Sequence, residues 1–154
     1  EISHEPNESD FSTSEIPSCV ARVFPVIELH NHVMRGEQPS AGELIANNAI
    51  HAGFVAGGGV STDDNCAEGS PNSSALSIFA NDRLLDECSG SALIETVISS
   101  LKWLAEVVRG RCDRLSAGQI ILTGSIPSLI AITEDCGIRV DAPPFGSVEV
   151  SFIA

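Results

Sequence analysis

The chain has 154 residues, of which 43% are hydrophobic, and a formal net charge of −13 from 21 acidic and 8 basic side chains. This length favours one domain with a hydrophobic core, and the hydrophobic share excludes an intrinsically disordered chain. The acidity argues against nucleic acid and anionic membrane surfaces as partners, because the protein would repel both. No apolar stretch is long enough to span a bilayer, so a membrane protein is not expected.

The chain begins with Glu1 rather than methionine, which predicts either a processed protein or a fragment. A cytoplasmic location is favoured, while sequons at residues 7–9 and 72–74 leave secretion open. The spacing of the five cysteines fits no zinc motif, so reduced structural thiols are expected. These cysteines are Cys19, Cys66, Cys88, Cys112 and Cys136.

The N-terminal segment is acidic and polar over residues 1–18. Residues 1–14 are predicted to form an irregular arm, with Ser14 as the N-cap of a short helix near residues 15–24. The apolar sequence VFPVIEL, at residues 23–29, predicts a strand.

Three further elements are expected before residue 75. Residues 40–48 have a helix-like pattern, and the following AGFVAGG, at residues 52–58, indicates a buried strand that ends in glycines. Residues 57–74 are rich in Gly, Ser and Asp and predict a long loop, which in a compact domain is usually functional or mobile.

The C-terminal half carries the clearest helix. From residue 91 to residue 109 the apolar positions recur at steps of three and four, which predicts an amphipathic helix. A hairpin is expected over residues 75–88 with Asn81 and Asp82 at its turn, and a buried strand over residues 119–126. Two final strands are predicted at residues 138–142 and 147–152, so the class is mixed α and β and rich in strands.

The sequence IELHNH contains a candidate metal or acid–base cluster. In a strand, Glu28, His30 and His32 occupy every second position and point to one face. A carboxylate and two imidazoles on one face predict a divalent metal site, although an ordinary solvated face explains the same pattern. His51 follows the helix-like segment and is predicted to line the same pocket as a general acid or base.

A second group of candidate residues follows the buried strand predicted at residues 119–126. Thr123, Gly124 and Ser125 offer hydroxyl and backbone N–H groups, which at such positions often bind a substrate carboxylate. A simple turn explains these residues equally well, so both interpretations stay open.

Several short motifs in order resemble the 2-keto-4-pentenoate hydratase family of the fumarylacetoacetate hydrolase superfamily. The resemblance covers most of residues 15–154. Its motifs are VFPVIEL, LIANNAIHAGFVAGG, Trp103-Leu104-Ala105, Ala117-Gly118-Gln119, Leu122-Thr123-Gly124 and FGSVEVSF. The resemblance implies an α+β fold, a mixed β-sheet roll of the superfamily's C-terminal type with one long amphipathic helix. It also implies that residues 1–154 form one hydratase-like domain.

The same resemblance implies a divalent Mg or Mn that holds a 2-keto acid and stabilises its enolate. Glu28 falls on one metal ligand of the family, and Glu1 falls on the second acid of a Glu-x-Glu pair. Ile50 stands where the family has a hydroxyl, and Asn47 stands where it has an aspartate. The family's N-terminal part, with its catalytic lysine segment, has no counterpart in this sequence.

Together these observations predict a divergent, metal-assisted lyase or isomerase that acts on a small keto or enol acid. The alternative is a non-catalytic scaffold or ligand-binding protein that keeps the fold without the active site, which the missing lysine segment and Ile50 favour. Exposed apolar surface is expected to be covered in a homo-oligomer or by a partner chain that supplies the missing N-terminal part.

Overall fold

The computed structural model describes residues 1–13, 15–31, 33, 39–62, 74–125 and 127–153. Ser14, His32, Cys66, most of the second sequon and much of the predicted loop at 57–74 therefore lie outside the described residues. None of the helices in the described ranges has the length and hydrophobicity needed to cross a membrane. The elements are β1 (Arg22–Val23), β2 (Val26–His30), α1 (Ala41–Ala46), β3 (His51–Ala56), β4 (Val60–Ser61), β5 (Ala75–Ala80), β6 (Arg83–Ser89), α2 (Ser91–Gly110), β7 (Cys136–Asp141) and β8 (Ser147–Phe152).

The largest sheet has four antiparallel strands in the order β6-β5-β7-β8. Its first hairpin turns at Asn81 and Asp82, as predicted, with φ angles of 46° and 64°. Two successive residues with positive φ suit the right-handed twist of the flanking strands, and Asn and Asp tolerate this conformation.

Two smaller antiparallel pairs, β2–β3 and β1–β4, complete the strand structure. The strand predicted over residues 23–29 is present but interrupted at Phe24 and Pro25, so its two parts pair with different strands. Proline has no N–H to donate to a ladder, which explains the break. Gly57 then brings the β2–β3 hairpin close to β8, because a side chain at Gly57 would collide with the carbonyl oxygen of Ser147.

Most of the buried hydrophobic residues in the described ranges form two separate clusters. The N-terminal core consists of Ile2, Cys19, Val20, Leu101, Ala105 and Leu115. The sheet core consists of Ile78, Ile138, Val140 and Val148. Helix α2 agrees with the helix predicted over residues 91–109, and its buried face carries residues at the expected spacing: Ile94, Leu101 and Ala105.

The helix predicted near residues 15–24 is wrong. Residues 22–23 belong to β1, and Val20 forms an antiparallel bridge with Ile2. Cys19 and Val20 are buried in the N-terminal core, and this burial holds their backbone in an extended pairing that no helix could provide. A short 3₁₀ helix lies earlier, at Glu8–Phe11, where the side chain of Asn7 accepts a hydrogen bond from the backbone N–H of Ser9.

The strand predicted over residues 119–126 is also absent from the described part of that range, residues 119–125. The segment lies beside α2 and is bounded by Gly118 and Gly124, whose φ angles are 84° and 88°. Such left-handed angles interrupt a strand at both ends and are readily adopted only by glycine.

The N-terminal arm is anchored by a buried carboxylate. Asp10 is 6% exposed and accepts hydrogen bonds from the hydroxyl of Ser18 (2.5 Å) and the backbone N–H of Asn7 (2.8 Å). His4 Nε2 lies 3.1 Å from the same carboxylate. Burial alone would raise the pKa of Asp10, but the bonds from Ser18, Asn7 and His4 outweigh it and hold this pKa below its ordinary value.

The four cysteines in the described ranges form no disulfide. Burial, together with the nearby charge of Asp10, raises the pKa of Cys19 to about 11. Cys19 is therefore a structural thiol of the N-terminal core.

Candidate active site

Three of the predicted site residues meet on the β2–β3 hairpin. Glu28 and His30 come from β2 and His51 comes from β3. Glu28 Oε1 lies 2.8 Å from His51 Nδ1 and 3.6 Å from His30 Nε2. All three side chains are between a quarter and a third exposed, so a small molecule from solvent can reach them. We refer to these three residues as the Glu28 cluster; His32, predicted on the same face, lies outside the described residues.

A β-bulge brings His51 to the face of Glu28. Glu28 pairs with Phe54, and a regular ladder would then place His30 opposite Ala52. The register instead shifts after Leu29, so that His30 lies opposite His51. One extra residue in a strand moves the following side chain to the other face, and here that side chain is His51.

The backbone around the bulge departs from ordinary strand geometry. Gly53, within β3, has a φ of 154°, which side-chain-bearing residues rarely adopt. Immediately before β3, three successive non-glycine residues have positive φ: 46° at Asn48, 54° at Ala49 and 59° at Ile50. Left-handed angles cost energy in such residues, most of all in the β-branched isoleucine, so the turn that leads into His51 is strained.

The hydrogen bond to Glu28 fixes the protonation pattern of His51. A carboxylate can only accept, so Nδ1 of His51 carries the hydrogen in this bond. In the neutral ring Nε2 then has a free lone pair and can accept a proton. His30 Nε2 lies 3.6 Å from Glu28 Oε1, which is too long for a hydrogen bond. His30 is therefore a nearby imidazole that is not hydrogen-bonded to Glu28.

Glu1, the other predicted metal ligand, lies beside β1. Its amino group donates to the carbonyl of Arg22 at 2.9 Å, and its own carbonyl accepts from the N–H of Ala21 at 2.9 Å. Glu28 belongs to the other small strand pair, where its described contacts are with His30 and His51.

The predicted substrate-binding residues line or border a different cavity. Thr123 borders an open cleft of about 460 Å³ between α2 and the segment that follows Gly118. Gly124 follows with its left-handed φ, and the hydroxyl of Ser125 donates to the carbonyl of Pro127 at 2.9 Å. The Glu28 cluster does not line this cleft, whose walls are formed by Ser99, Ser100, Trp103, Leu104, Ile121, Leu122 and Thr123.

The donor atoms of the Glu28 cluster do not fit an Mg²⁺ site. Magnesium prefers carboxylate, carbonyl and water oxygens, whereas this cluster provides one carboxylate and two imidazoles. Across the described ranges, no group of three or more His, Cys, Asp or Glu side chains is arranged to hold a metal ion. The acid–base chemistry open to the cluster is that of its own side chains.

Sequence reasoning missed the residues that shape the cluster. Phe54 stands opposite Glu28 and is 38% exposed, so it offers an aromatic surface beside the carboxylate. Gly53 accompanies the bulge that turns His51 toward Glu28. A single glycine inside a strand pattern is a known sign of a bulge, and this was the signal available in HAGFVA.

Comparison with known proteins gives one similar curated sequence and solved structures of the same fold. No protein-family model matches the chain. The chain is 22% identical over 139 residues to 4-oxalocrotonate decarboxylase of Pseudomonas putida, a match that covers 90% of this chain and 52% of the decarboxylase. The chain thus spans about half the length of this relative.

Two of the similar solved structures are of 4-oxalocrotonate decarboxylase from Pseudomonas putida G7. The complex with magnesium and adipate superposes with a TM-score of 0.80 at 20% identity, over 99% of this chain and 57% of the other. The complex with calcium and acetate gives a TM-score of 0.78 at 20% identity, over 99% and 56%. The predicted α+β fold is confirmed, and it is the fold of these decarboxylase structures, while the hydratase family and its superfamily remain predictions.

Proposed function

We propose that this chain contributes to a lyase or isomerase that acts on a small keto or enol acid, with the Glu28 cluster as its acid–base group. The observation that carries the proposal is the 2.8 Å contact between Glu28 Oε1 and His51 Nδ1 on a partly exposed strand face. The similarity in sequence and fold to 4-oxalocrotonate decarboxylase supports the substrate class.

The proposed chemistry is proton transfer at the carbon next to a keto group. Glu28 accepts the Nδ1–H of His51 and so holds the ring with its Nε2 lone pair available. Nε2 then removes a proton from the carbon next to the keto group to give an enolate and an imidazolium, and in the reverse direction the imidazolium returns its proton to the enolate carbon. Glu28 stabilises the imidazolium that forms in the first direction, because the opposite charges lie within hydrogen-bond distance.

The inclusion of magnesium or manganese in the proposal rests on analogy with the solved relative. The two solved complexes of 4-oxalocrotonate decarboxylase hold magnesium and calcium, and the first agrees with the predicted Mg. A bound cation would polarise the keto oxygen and lower the cost of forming the enol. Of the predicted ligands, Glu28 is the one already next to other donor groups in the described structure.

The second candidate function is a non-catalytic ligand-binding protein or scaffold. It is favoured by the separation of the two predicted site groups, because Thr123 lines the α2 cleft while the Glu28 cluster lies on the β2–β3 hairpin. Ile50, placed where the resembling family has a hydroxyl, points the same way because it cannot relay a proton.

Deuterium exchange distinguishes the two functions without knowledge of the natural substrate. The protein is incubated in D₂O with 2-oxobutanoate or 2-oxoadipate, with and without Mg²⁺ or Mn²⁺, and loss of the C3 proton signal is followed by NMR. Catalysed enol formation predicts exchange above the protein-free rate. His51→Gln is expected to lower it about 100-fold or more, the size of a lost general base.

Two variants make the assay specific. Glu28→Gln keeps the shape of the side chain but removes the charge that orients His51, so exchange should fall by about tenfold or more. Glu106→Gln, an exposed acid on α2, is the matched control and should exchange like the unmodified protein. Exchange no faster than the protein-free rate under every condition would refute the enzyme proposal and favour the scaffold.

A further inference from the structure

We propose that Ser3, His4 and Asp10 form a serine nucleophile with its own proton relay, which transfers the acyl group of an uncharged ester first to Ser3 and then to water. We refer to these three residues as the Ser3 relay. The proposal goes beyond the keto-acid function and is independent of it, because the relay lies on the N-terminal arm and shares no residue with the Glu28 cluster.

Two consecutive hydrogen bonds connect the three side chains. The hydroxyl oxygen of Ser3 lies 3.0 Å from Nδ1 of His4, and Nε2 of the same ring lies 3.1 Å from Oδ1 of Asp10. Serine, histidine and aspartate connected in this order are the proton relay of serine hydrolases, which is recognised by geometry and not by sequence position. The two ring nitrogens exchange their places relative to the chymotrypsin arrangement, in which Nε2 faces the serine.

Asp10 determines which ring nitrogen accepts the serine proton. Burial alone would raise the pKa of Asp10, but its three hydrogen bonds hold this pKa below the ordinary value, so Asp10 is a carboxylate at neutral pH. A carboxylate can only accept, so Nε2 of His4 carries the hydrogen, and Nδ1 of the neutral ring has the lone pair. Ser3 is then the donor to Nδ1, and its other contact, with the carbonyl oxygen of Ser18, is longer at 3.3 Å.

The Ser3 relay has a buried end and an exposed end. The side chain of Asp10 is 4% exposed, whereas that of His4 is 48% exposed and Ser3 is exposed as well. A buried carboxylate orients the imidazole and stabilises the imidazolium that forms when the ring takes a proton. A molecule from solvent can therefore reach the Ser3 hydroxyl, while the charge that activates this hydroxyl stays out of water.

Two backbone N–H groups that follow Ser3 are free to bind an oxyanion. Among the residues that the structure describes, none accepts a hydrogen bond from the N–H of His4 or from that of Glu5. The N–H of Ser3 itself donates to the carbonyl of Cys19 at 2.8 Å. In hydrolases the N–H of the residue after the nucleophile is a common oxyanion donor, and we assign this role to the N–H of His4.

The proposed reaction is an acyl transfer in two steps. Oγ of Ser3 attacks the ester carbonyl carbon while its proton passes to Nδ1 of His4, and the ester C–O bond breaks as His4 returns this proton to the leaving alcohol. Water then attacks the acyl group on Ser3 by the same route, which releases the acid and restores the hydroxyl. The adjacent Glu5 and the net charge of −13 disfavour an anionic substrate, so the ester is uncharged.

Labelling with diisopropyl fluorophosphate tests the nucleophile in the unmodified chain. This reagent phosphorylates activated serine hydroxyls, and peptide mass spectrometry locates the modified residue. Ser12 is exposed on the same arm and is the internal reference. We expect the label at Ser3 to accumulate about 100-fold faster or more than the label at Ser12, the size of assistance by a general base. This comparison is made within one chain, so it does not depend on the folding of a variant.

Hydrolysis of 4-nitrophenyl acetate and four variants test the relay. Turnover should leave an acetyl group on Ser3 after an acid quench, and Ser3→Ala should abolish it. His4→Gln should lower kcat about 100-fold or more. Asp10→Asn should lower kcat about tenfold or more with KM unchanged, because Asp10 orients His4 and does not touch the ester. Ser12→Ala is the matched control and should keep the unmodified rate, and the helical circular dichroism of α2 checks that each variant folds.

Three results would overturn the proposal. The first is a label at Ser3 that accumulates no faster than the label at Ser12, which would make Ser3 an ordinary hydroxyl. The second is a folded His4→Gln variant in which Ser3 is labelled as fast as in the unmodified protein. The third is hydrolysis of 4-nitrophenyl acetate by Ser3→Ala at the unmodified rate, which would assign the reaction to other nucleophiles of the chain.

Discussion

At Glu28 a single carboxylate oxygen is close to nitrogen atoms of two histidines. The sequence predicted Glu28 and His30 from their alternation in one strand, but the contact with His51 depends on the bulge after Leu29. A shift of one residue decides which face His51 occupies, and alternation of residues within β3 carries no information about that shift. The pairing of Glu28 with His51 therefore required the structure.

The metal preference of the Glu28 cluster can be tested by changing single residues. Two imidazoles and one carboxylate favour Zn²⁺ or Mn²⁺ over Mg²⁺. Because no group of described side chains is arranged to hold a metal ion, metal binding requires the cluster to rearrange. We expect titration calorimetry to show any Zn²⁺ binding to be at least tenfold tighter than that of Mg²⁺, and we expect Glu28→Gln and His51→Gln each to weaken it about tenfold or more. Glu106→Gln should bind like the unmodified protein. Tighter binding of Mg²⁺ than of Zn²⁺ would instead indicate an oxygen-rich site away from this cluster.

Asp10 is expected to make stability depend on acid pH. Its pKa is lowered in the folded state, so its contribution is full above the unfolded value, about 4, and is lost as pH falls through the folded value. Asp10→Asn should lower the free energy of unfolding by about 1–3 kcal/mol at pH 7, because three donors lose a charged acceptor. This difference should shrink below pH 4.

Urea unfolding at a series of pH values measures this effect. Glu95→Gln, an exposed acid on α2, is the matched control and should keep the pH profile of the unmodified protein. A constant difference between Asp10→Asn and the unmodified protein across the acid range would show that the Asp10 charge is not coupled to folding.

Among the secondary-structure elements, the turn that leads into β3 is strained, and this strain is concentrated in three residues. Ala49 is exposed and has a φ of 54°, a conformation that costs a side-chain-bearing residue about 1–2 kcal/mol. Ala49→Gly should therefore raise the free energy of unfolding by about 1 kcal/mol. In contrast Ala92→Gly, at an exposed position of α2, should lower it by about 1 kcal/mol. Equal losses in both variants would show that the turn is unstrained in solution.

Elements with local pairing were predictable from the sequence, and those that depend on distant contacts were not. The β5–β6 hairpin and α2 follow from turn chemistry and from apolar spacing inside each segment. Residues 15–24 look helical in isolation, but Val20 bridges to Ile2 and becomes extended. Residues 119–126 carry a strand sequence, yet a strand needs a neighbour, and none of the described residues pairs with 120–124.

For the whole molecule, the confirmed fold establishes the architecture and does not by itself establish an activity. The superposition extends over 99% of this chain, whereas the chain spans 57% of the solved decarboxylase. Fold and activity are separable properties, and the activity resides in particular side chains. The deuterium-exchange assay therefore tests particular side chains of the β2–β3 hairpin and not the fold.

Two separate cores also have a consequence for cooperativity. The N-terminal core and the sheet core share no buried residue, so each can open with its own free energy, as foldons do. Trp103 lies on α2, which packs in the N-terminal core, whereas amides of β7 lie in the sheet core. We expect the two cores to unfold at different denaturant concentrations. The midpoint for the N-terminal core is measured from Trp103 emission, and that for the sheet core from the loss of hydrogen-exchange protection in β7. Coincident midpoints would show one cooperative unit, as the predicted single domain over residues 1–154 requires.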